Sequence, residues 1–132
     1  MYRITFVISE RDEPRFHAQL RILLDALMAV DMISLKGRER EIPPLYESGI
    51  YYEEEPPGQE DWQDLLTCMK LKASDCEDLA CFRAAELRVR HGIMARPTFV
   101  HRVRPNGGNL YHVQVQYPDG RIEDPSRVLG MR

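Results

Sequence analysis

Ser74-Asp75-Cys76-Glu77-Asp78-Leu79-Ala80 sets a cysteine at what reads as the start of a helix. Ser74 and Glu77 have the S-x-x-E spacing of a capping box, so Ser74 is the expected N-cap and Cys76 the second helical residue. Backbone N–H groups at that position have no partner inside the helix. With the helix dipole they favour a thiolate, the reactive form of cysteine, and they can hold the negative oxygen of a tetrahedral intermediate. The plainer alternative is a small apolar residue filling the first turn of a core helix. The residues on either side decide between the two.

Downstream, Cys76, Ala80, Ala84 and Leu87 share one face, and Gly92 is the expected left-handed C-cap. Small residues on that face allow close approach to a sheet. After Gly92 the apolar period changes from 3.6 to 2. Residues 93–103 read as a strand, Arg104-Pro105-Asn106-Gly107-Gly108 as a hairpin turn, and residues 110–117 as the clearest strand. Tyr111, Val113, Val115 and Tyr117 point one way, and Leu110, His112, Gln114 and Gln116 the other. Pro118-Asp119-Gly120 forms a second turn. If its loop has three residues, Asp124 falls opposite Gln114 and becomes a diagonal neighbour of His112. Such neighbours are about 7–8 Å apart, close enough for an Asp–His hydrogen bond. A two-residue loop would turn Asp124 to the other face. The tail, 126–132, reads as irregular.

Upstream, Tyr2, Ile4, Phe6 and Ile8 alternate as in a half-buried strand, and Pro14 opens a helix over residues 14–31. Phe16, Leu20, Leu23, Leu24 and Leu27 form its apolar stripe. That stripe is expected to cover the Tyr111-to-Tyr117 row, with the Cys76 helix on the opposite, catalytic face. His17 lies off the stripe and reads as a surface residue. Residues 36–59 are loop-rich, with Leu45-Tyr46 and Gly49-Ile50-Tyr51-Tyr52 as short extended pieces and Glu53, Glu54 and Glu55 as a solvated rim. Trp62, Leu65, Leu66 and Met69 are spaced for a second short helix.

The chain of 132 residues fits one domain, and 43% hydrophobic with 30% charged residues is ordinary for a globular protein. A net charge of −3 with scattered Lys and Arg gives no reason to expect nucleic acid. No apolar run approaches the ~18 residues of a membrane span, and the N-terminus does not have the form of a signal peptide. A cytoplasmic setting with Cys68, Cys76 and Cys81 as free thiols is the expectation. No metal or other cofactor is expected: there is no C-x-x-C pair, and Cys76 and Cys81 fall on different helix faces. His101 has no following aspartate in a matching hairpin, and His91 suits a helix C-terminus.

Cys76, His112 and Asp124 together supply a thiol, an imidazole to take its proton and a carboxylate to orient the imidazole. Four segments carry a family resemblance: Asp75-Cys76-Glu77-Asp78-Leu79-Ala80, Gly92-Ile93-Met94-Ala95-Arg96, Tyr111-His112-Val113-Gln114-Val115 and Glu123-Asp124-Pro125. In this order they resemble the transglutaminase-like superfamily of papain-fold cysteine enzymes, and Ile50-Tyr51-Tyr52 with Trp62 is similar to the segment preceding the nucleophile there. Ser74 stands where that pattern has glycine, and Val113-Gln114 where it has Ala-Trp. The small size resembles compact members encoded by tailed phages and prophages.

The resemblance implies an α+β fold with a papain-like core: a nucleophile helix packed on an antiparallel sheet, within a single domain over 1–132. Residues 49–125 would be the catalytic core, and 1–35 an N-terminal strand and helix covering the sheet. It implies a cysteine peptidase, amidase or acyltransferase with a Cys76–His112–Asp124 triad and a protein or peptide substrate. Asp75 and Trp62 are the expected oxyanion or substrate-binding neighbours, Trp62 through its indole N–H. The rival expectation is a non-catalytic binding or assembly module on the same scaffold.

Overall fold

The computed structural model describes residues 2–9, 11–56 and 58–132. In chain order its main elements are α1 (Glu13–Leu35), β1 (Tyr51–Tyr52), α2 (Leu65–Leu71), β2 (Ala73–Ser74), α3 (Cys76–His91), β3 (Arg96–Val103), β4 (Asn109–Gln116), β5 (Ile122–Glu123) and α4 (Pro125–Val128). Strands β3, β4 and β5 form an antiparallel sheet, while β1 and β2 make a two-residue parallel pair. The result is a mixed α/β fold in which α3 packs on a small antiparallel sheet.

α3 is central because nearly every side chain of its first three turns is buried. Cys76, Ala80, Cys81, Ala84 and Ala85 join Phe16, Leu20, Leu24, Met28, Val113 and Val115 in one apolar cluster. Leu79 and Phe82 join a second cluster with Leu35, Ile42, Leu45, Ile50, Leu65 and Cys68. The five small residues that α3 gives the first cluster let α1 and the sheet approach closely, whereas Phe82 fills space in the second cluster. Gly92 ends the helix at φ 65°, a left-handed conformation that costs glycine little.

The Phe16, Leu20 and Leu24 stripe meets Val113 and Val115 as expected. The expectation that α3 takes the opposite face of the sheet is overturned, because α1 and α3 pack side by side in the same cluster. A three-stranded sheet with one strongly apolar face needs only one helical layer. His112, Gln114 and Gln116, pointing the other way, remain half-buried. α1 also runs past residue 31, since Met32 and Leu35 continue its inner stripe.

The strand expected at the N-terminus does not form: among the described residues, 2–9 belong to no ladder. Tyr2, Ile4 and Phe6 are exposed and, of the alternating residues, Ile8 alone packs on the core, so the alternation does not mark a half-buried strand. Trp62 precedes α2 rather than opening it. Asp64 is the N-cap, accepting from Thr67 N–H at 3.3 Å, and this fixes the start at Leu65. Leu45 lies in a 3-10 turn over Leu45–Glu47, whereas Tyr51 and Tyr52 are extended. The tail carries the short α4, signalled by Asp124-Pro125 as N-cap and N1.

A buried carboxyl joins α1 to α2. Asp31 is fully buried, and its Oδ1 accepts from Leu65 N–H at 2.7 Å. Burial pushes its pKa up to about 8, against the lowering effect of that hydrogen bond. Asp78 is likewise pushed up to about 7 by burial. In the unfolded chain both groups release their protons near the ordinary carboxylate value. The native state therefore holds more protons between pH 4 and 8, and its stability is highest below that window and falls as pH rises through it. Denaturant unfolding should show a loss on the order of 6 kcal/mol from pH 5 to pH 8, reduced by more than half in Asp31→Asn. Stability rising over that window would contradict this assignment.

Candidate active site

The register of β4 against β5 fixes the site. Val115 pairs with Glu123 and Gln116 with Ile122, and Tyr117 N–H donates to the Arg121 carbonyl at 2.8 Å. The loop between them thus has three residues, closed by Gly120 N–H on the Tyr117 carbonyl at 2.9 Å. This is the register expected from Pro118-Asp119-Gly120, and it brings the histidine and carboxylate together. His112 Nε2 lies 2.8 Å from Asp124 Oδ2. Asp124 Oδ1 accepts from Arg127 N–H at 3.4 Å as the N-cap of α4, so the carboxylate is anchored at both oxygens. Gln114 Nε2 and Arg127 Nε each lie 3.4 Å from Oδ2.

Because β5 stops at Glu123, β4 has an open edge beyond Val115. Backbone groups of alternate residues face that edge, so Val113 follows Val115 in presenting its N–H there. The N-terminus of α3 fills the gap, and the Val113 N–H comes near enough to the Cys76 sulfur to favour its thiolate. The thiol therefore lies at the backbone next to His112. Cys76 and His112 both line a cavity of about 1800 Å³, together with Trp62, Glu55 and residues of the N-terminal segment.

The helix start differs from the expected one. Asp75, not Ser74, is the N-cap, and its partner in the capping box is Asp78, whose Oδ2 accepts from Asp75 N–H at 3.2 Å. Ser74 cannot cap because it pairs with Tyr52 in β2, where its carbonyl accepts from Glu53 N–H at 2.9 Å. Cys76 is consequently the first helical residue. Asp75 Oδ1 accepts from Cys76 N–H at 2.7 Å, which occupies one of the donors expected to serve an oxyanion. Asp75 Oδ2 also accepts from Glu55 N–H at 3.2 Å, tying the 55–63 loop to the helix start. Asp75 thus orders the turn, being an acceptor itself. Trp62 is half-buried at the cavity wall.

Cys76 Sγ donates to Glu77 Oε2 at 3.4 Å. Burial pushes the thiol well above the ordinary cysteine range, Glu77 adds to it, the Val113 N–H opposes, and Asp75 adds further. Cys76 is a protonated thiol in the resting protein, contrary to the thiolate expected from the helix start. The helix N-terminus is outweighed by burial first, and then by the neighbouring Glu77 and Asp75 carboxylates. Glu77 itself is only 4% exposed, and burial with the charges of Asp78 and Asp75 raises its carboxyl well above the usual range.

The roles of four residues at the site were not legible in the sequence: Val113, Arg83, Glu123 and Glu77, which reads there as a capping-box partner. Arg83 reaches from α3 to Glu123 at 2.6 Å and to Glu86 at 2.8 Å. Tyr46 and Tyr117 hydroxyls also donate to Glu123, at 2.5 and 2.6 Å. This network pins the end of β5, one residue before Asp124. Burial works against ionisation of Glu123, but hydrogen bonds from Arg83, Tyr117 and Tyr46 lower its pKa on balance. The i, i+3 spacing of Arg83 and Glu86 is visible in the sequence; the pairing of Arg83 with Glu123, forty residues on, is not.

No family model, curated protein or solved structure matches the chain. What the site does has to be argued from its own atoms.

Proposed function

We propose that the protein is a cysteine hydrolase or acyltransferase of transglutaminase-like, papain-type architecture, acting on an amide or peptide acyl group. The observation that carries the reading is the 2.8 Å His112–Asp124 hydrogen bond on a cavity that Cys76 also lines. Asp124 accepts from His112 Nε2–H, which leaves the lone pair on Nδ1 as the proton acceptor. As the Cys76 sulfur attacks a substrate carbonyl carbon, its proton passes to His112 Nδ1. The tetrahedral oxyanion collapses, and His112 returns that proton to the departing amine. The thioester left on Cys76 is then attacked by water or by an acceptor amine, with His112 removing the proton and Asp124 stabilising the imidazolium. Val113 N–H, near the sulfur, stabilises negative charge developing there. A protonated resting thiol fits general-base attack, in which deprotonation and bond formation occur together.

A second reading is a non-catalytic binding module. It is favoured by one observation: the thiol is bonded to Glu77 and suppressed by surrounding acids. The Glu77→Gln variant separates the two. Removing that charge should lower the thiol pKa and raise the rate of Cys76 alkylation by iodoacetamide at pH 8 by about tenfold or more, since each pKa unit is a factor of ten in thiolate. Cys68 and Cys81, both fully buried, should stay unmodified. A panel of fluorogenic peptide amides assayed alongside should be turned over by the wild-type protein. Unchanged alkylation together with no turnover favours the binding module.

A further inference from the structure

Away from Cys76, Glu13 and His17 stand one turn apart on α1 and meet His101 from β3. We propose that these three side chains form a zinc-type metal site that fastens the first turn of α1 to the sheet. Glu13 Oε1 lies 3.5 Å from His101 Nδ1 and 3.9 Å from His17 Nε2, and all three ligand atoms lie within 4.8 Å of one another. Zinc bonds to imidazole nitrogen and carboxylate oxygen of about 2.0–2.2 Å set tetrahedral ligands roughly 3.3–3.5 Å apart. The two spacings to Glu13 need to close by up to about half an ångström, and the two imidazole nitrogens, within 4.8 Å of each other, by up to about 1.4 Å. Two imidazoles and one carboxylate are a ligand set zinc takes in open sites, with water in the fourth position. The 59% exposed Glu13 side chain leaves that position towards solvent.

The tautomer of His101 fits the same role. Asn109 Oδ1 lies 2.8 Å from His101 Nε2 and accepts its proton, so the Nδ1 lone pair points at the Glu13 carboxylate. Two electron-rich atoms facing each other at 3.5 Å call for a cation between them, and an outer hydrogen bond on the far ring nitrogen is the usual support for a metal-bound histidine. Packing fixes both rings. His101 stacks on Tyr111 with centroids 4.6 Å apart, and His17 meets Phe99 edge-on at 5.2 Å. His17, expected on the surface, is half-buried, and its Nε2 lies 3.1 Å from the Tyr111 hydroxyl, a hydrogen bond the metal would replace. The one sequence signal was the Glu13-x3-His17 spacing; the third ligand comes from a strand 84 residues later.

The competing account is an ordinary ion pair between Glu13 and protonated imidazoles, and metal titration of the full-length chain separates them. Chelator-treated protein titrated with Co2+ should develop the visible absorption of tetrahedral nitrogen–oxygen coordination. Zn2+ at a hundred times its dissociation constant should raise the melting temperature by roughly 8–12 °C. Glu13→Gln, at an exposed position, should weaken Co2+ binding at least tenfold while leaving the metal-free melting temperature unchanged. His101→Ala should abolish the spectrum. No spectrum, a cobalt–thiolate charge-transfer band assigning the metal to cysteine, or full binding in Glu13→Gln and His101→Ala would each overturn the proposal.

Discussion

Cys76→Ala is expected to lower peptide-amide turnover by roughly 10³–10⁶-fold, with a melting temperature close to that of the wild type. In the proposed reaction Cys76 is the nucleophile, whereas replacing a thiol by a methyl group in the first turn of α3 removes little packing. Losing the sulfur does remove the donor to the buried Glu77 Oε2, a cost of about 1 kcal/mol. His112→Ala should cost turnover on a similar scale. Asp124→Asn is more informative, because asparagine caps helices as well as aspartate does and keeps the bond to Arg127 N–H. Its stability should hold while turnover falls about 10²–10⁴-fold, since the imidazolium loses its carboxylate and the imidazole its fixed tautomer. Equal turnover in Cys76→Ala would remove the thiol from the reaction.

Arg83→Ala should cost about 3–5 kcal/mol of stability, the range for removing one partner of a buried ion pair. Glu86 has only 1% of its side chain exposed and also accepts from Leu45 N–H at 3.0 Å, so it cannot escape to water. Glu123 would lose the same guanidinium. Adding Glu123→Gln to Arg83→Ala should recover part of the loss, because it removes one of the uncompensated charges. Turnover per folded molecule should fall too, as β5 no longer holds Asp124 against His112. Denaturant unfolding of the single and double variants checks the first claim, and a double variant less stable than Arg83→Ala would contradict it.

Local grammar was legible in the sequence where one short rule governed the outcome. The Pro118-Asp119-Gly120 loop length dictated the β4–β5 register, and Gly92 marked the end of α3. The helix start was misread by one residue because Ser74 and Asp75 are both good caps. Only the pairing of β2 with β1, a tertiary fact, removed Ser74 from contention. Burial defeated two further expectations. The helix start favoured a thiolate at Cys76, yet the thiol and the Glu77 and Asp78 carboxyls beside it are enclosed, which reverses the expected ionisation. The side of the sheet taken by α3 was also beyond a single-helix pattern, since α1 and α3 divide one apolar face between them. Alternation over residues 2–9 carried no information about pairing without a strand edge to accept it.

The central claim is that Cys76 is acylated through His112. Its most direct measurement is intact-mass analysis and peptide mapping after brief exposure of the protein to an activated peptide ester. The account expects one acyl group, attached to Cys76 and absent from Cys68 and Cys81, with labelling lost in His112→Ala. Acylation at another residue, or equal labelling of Cys76 without His112, would contradict it.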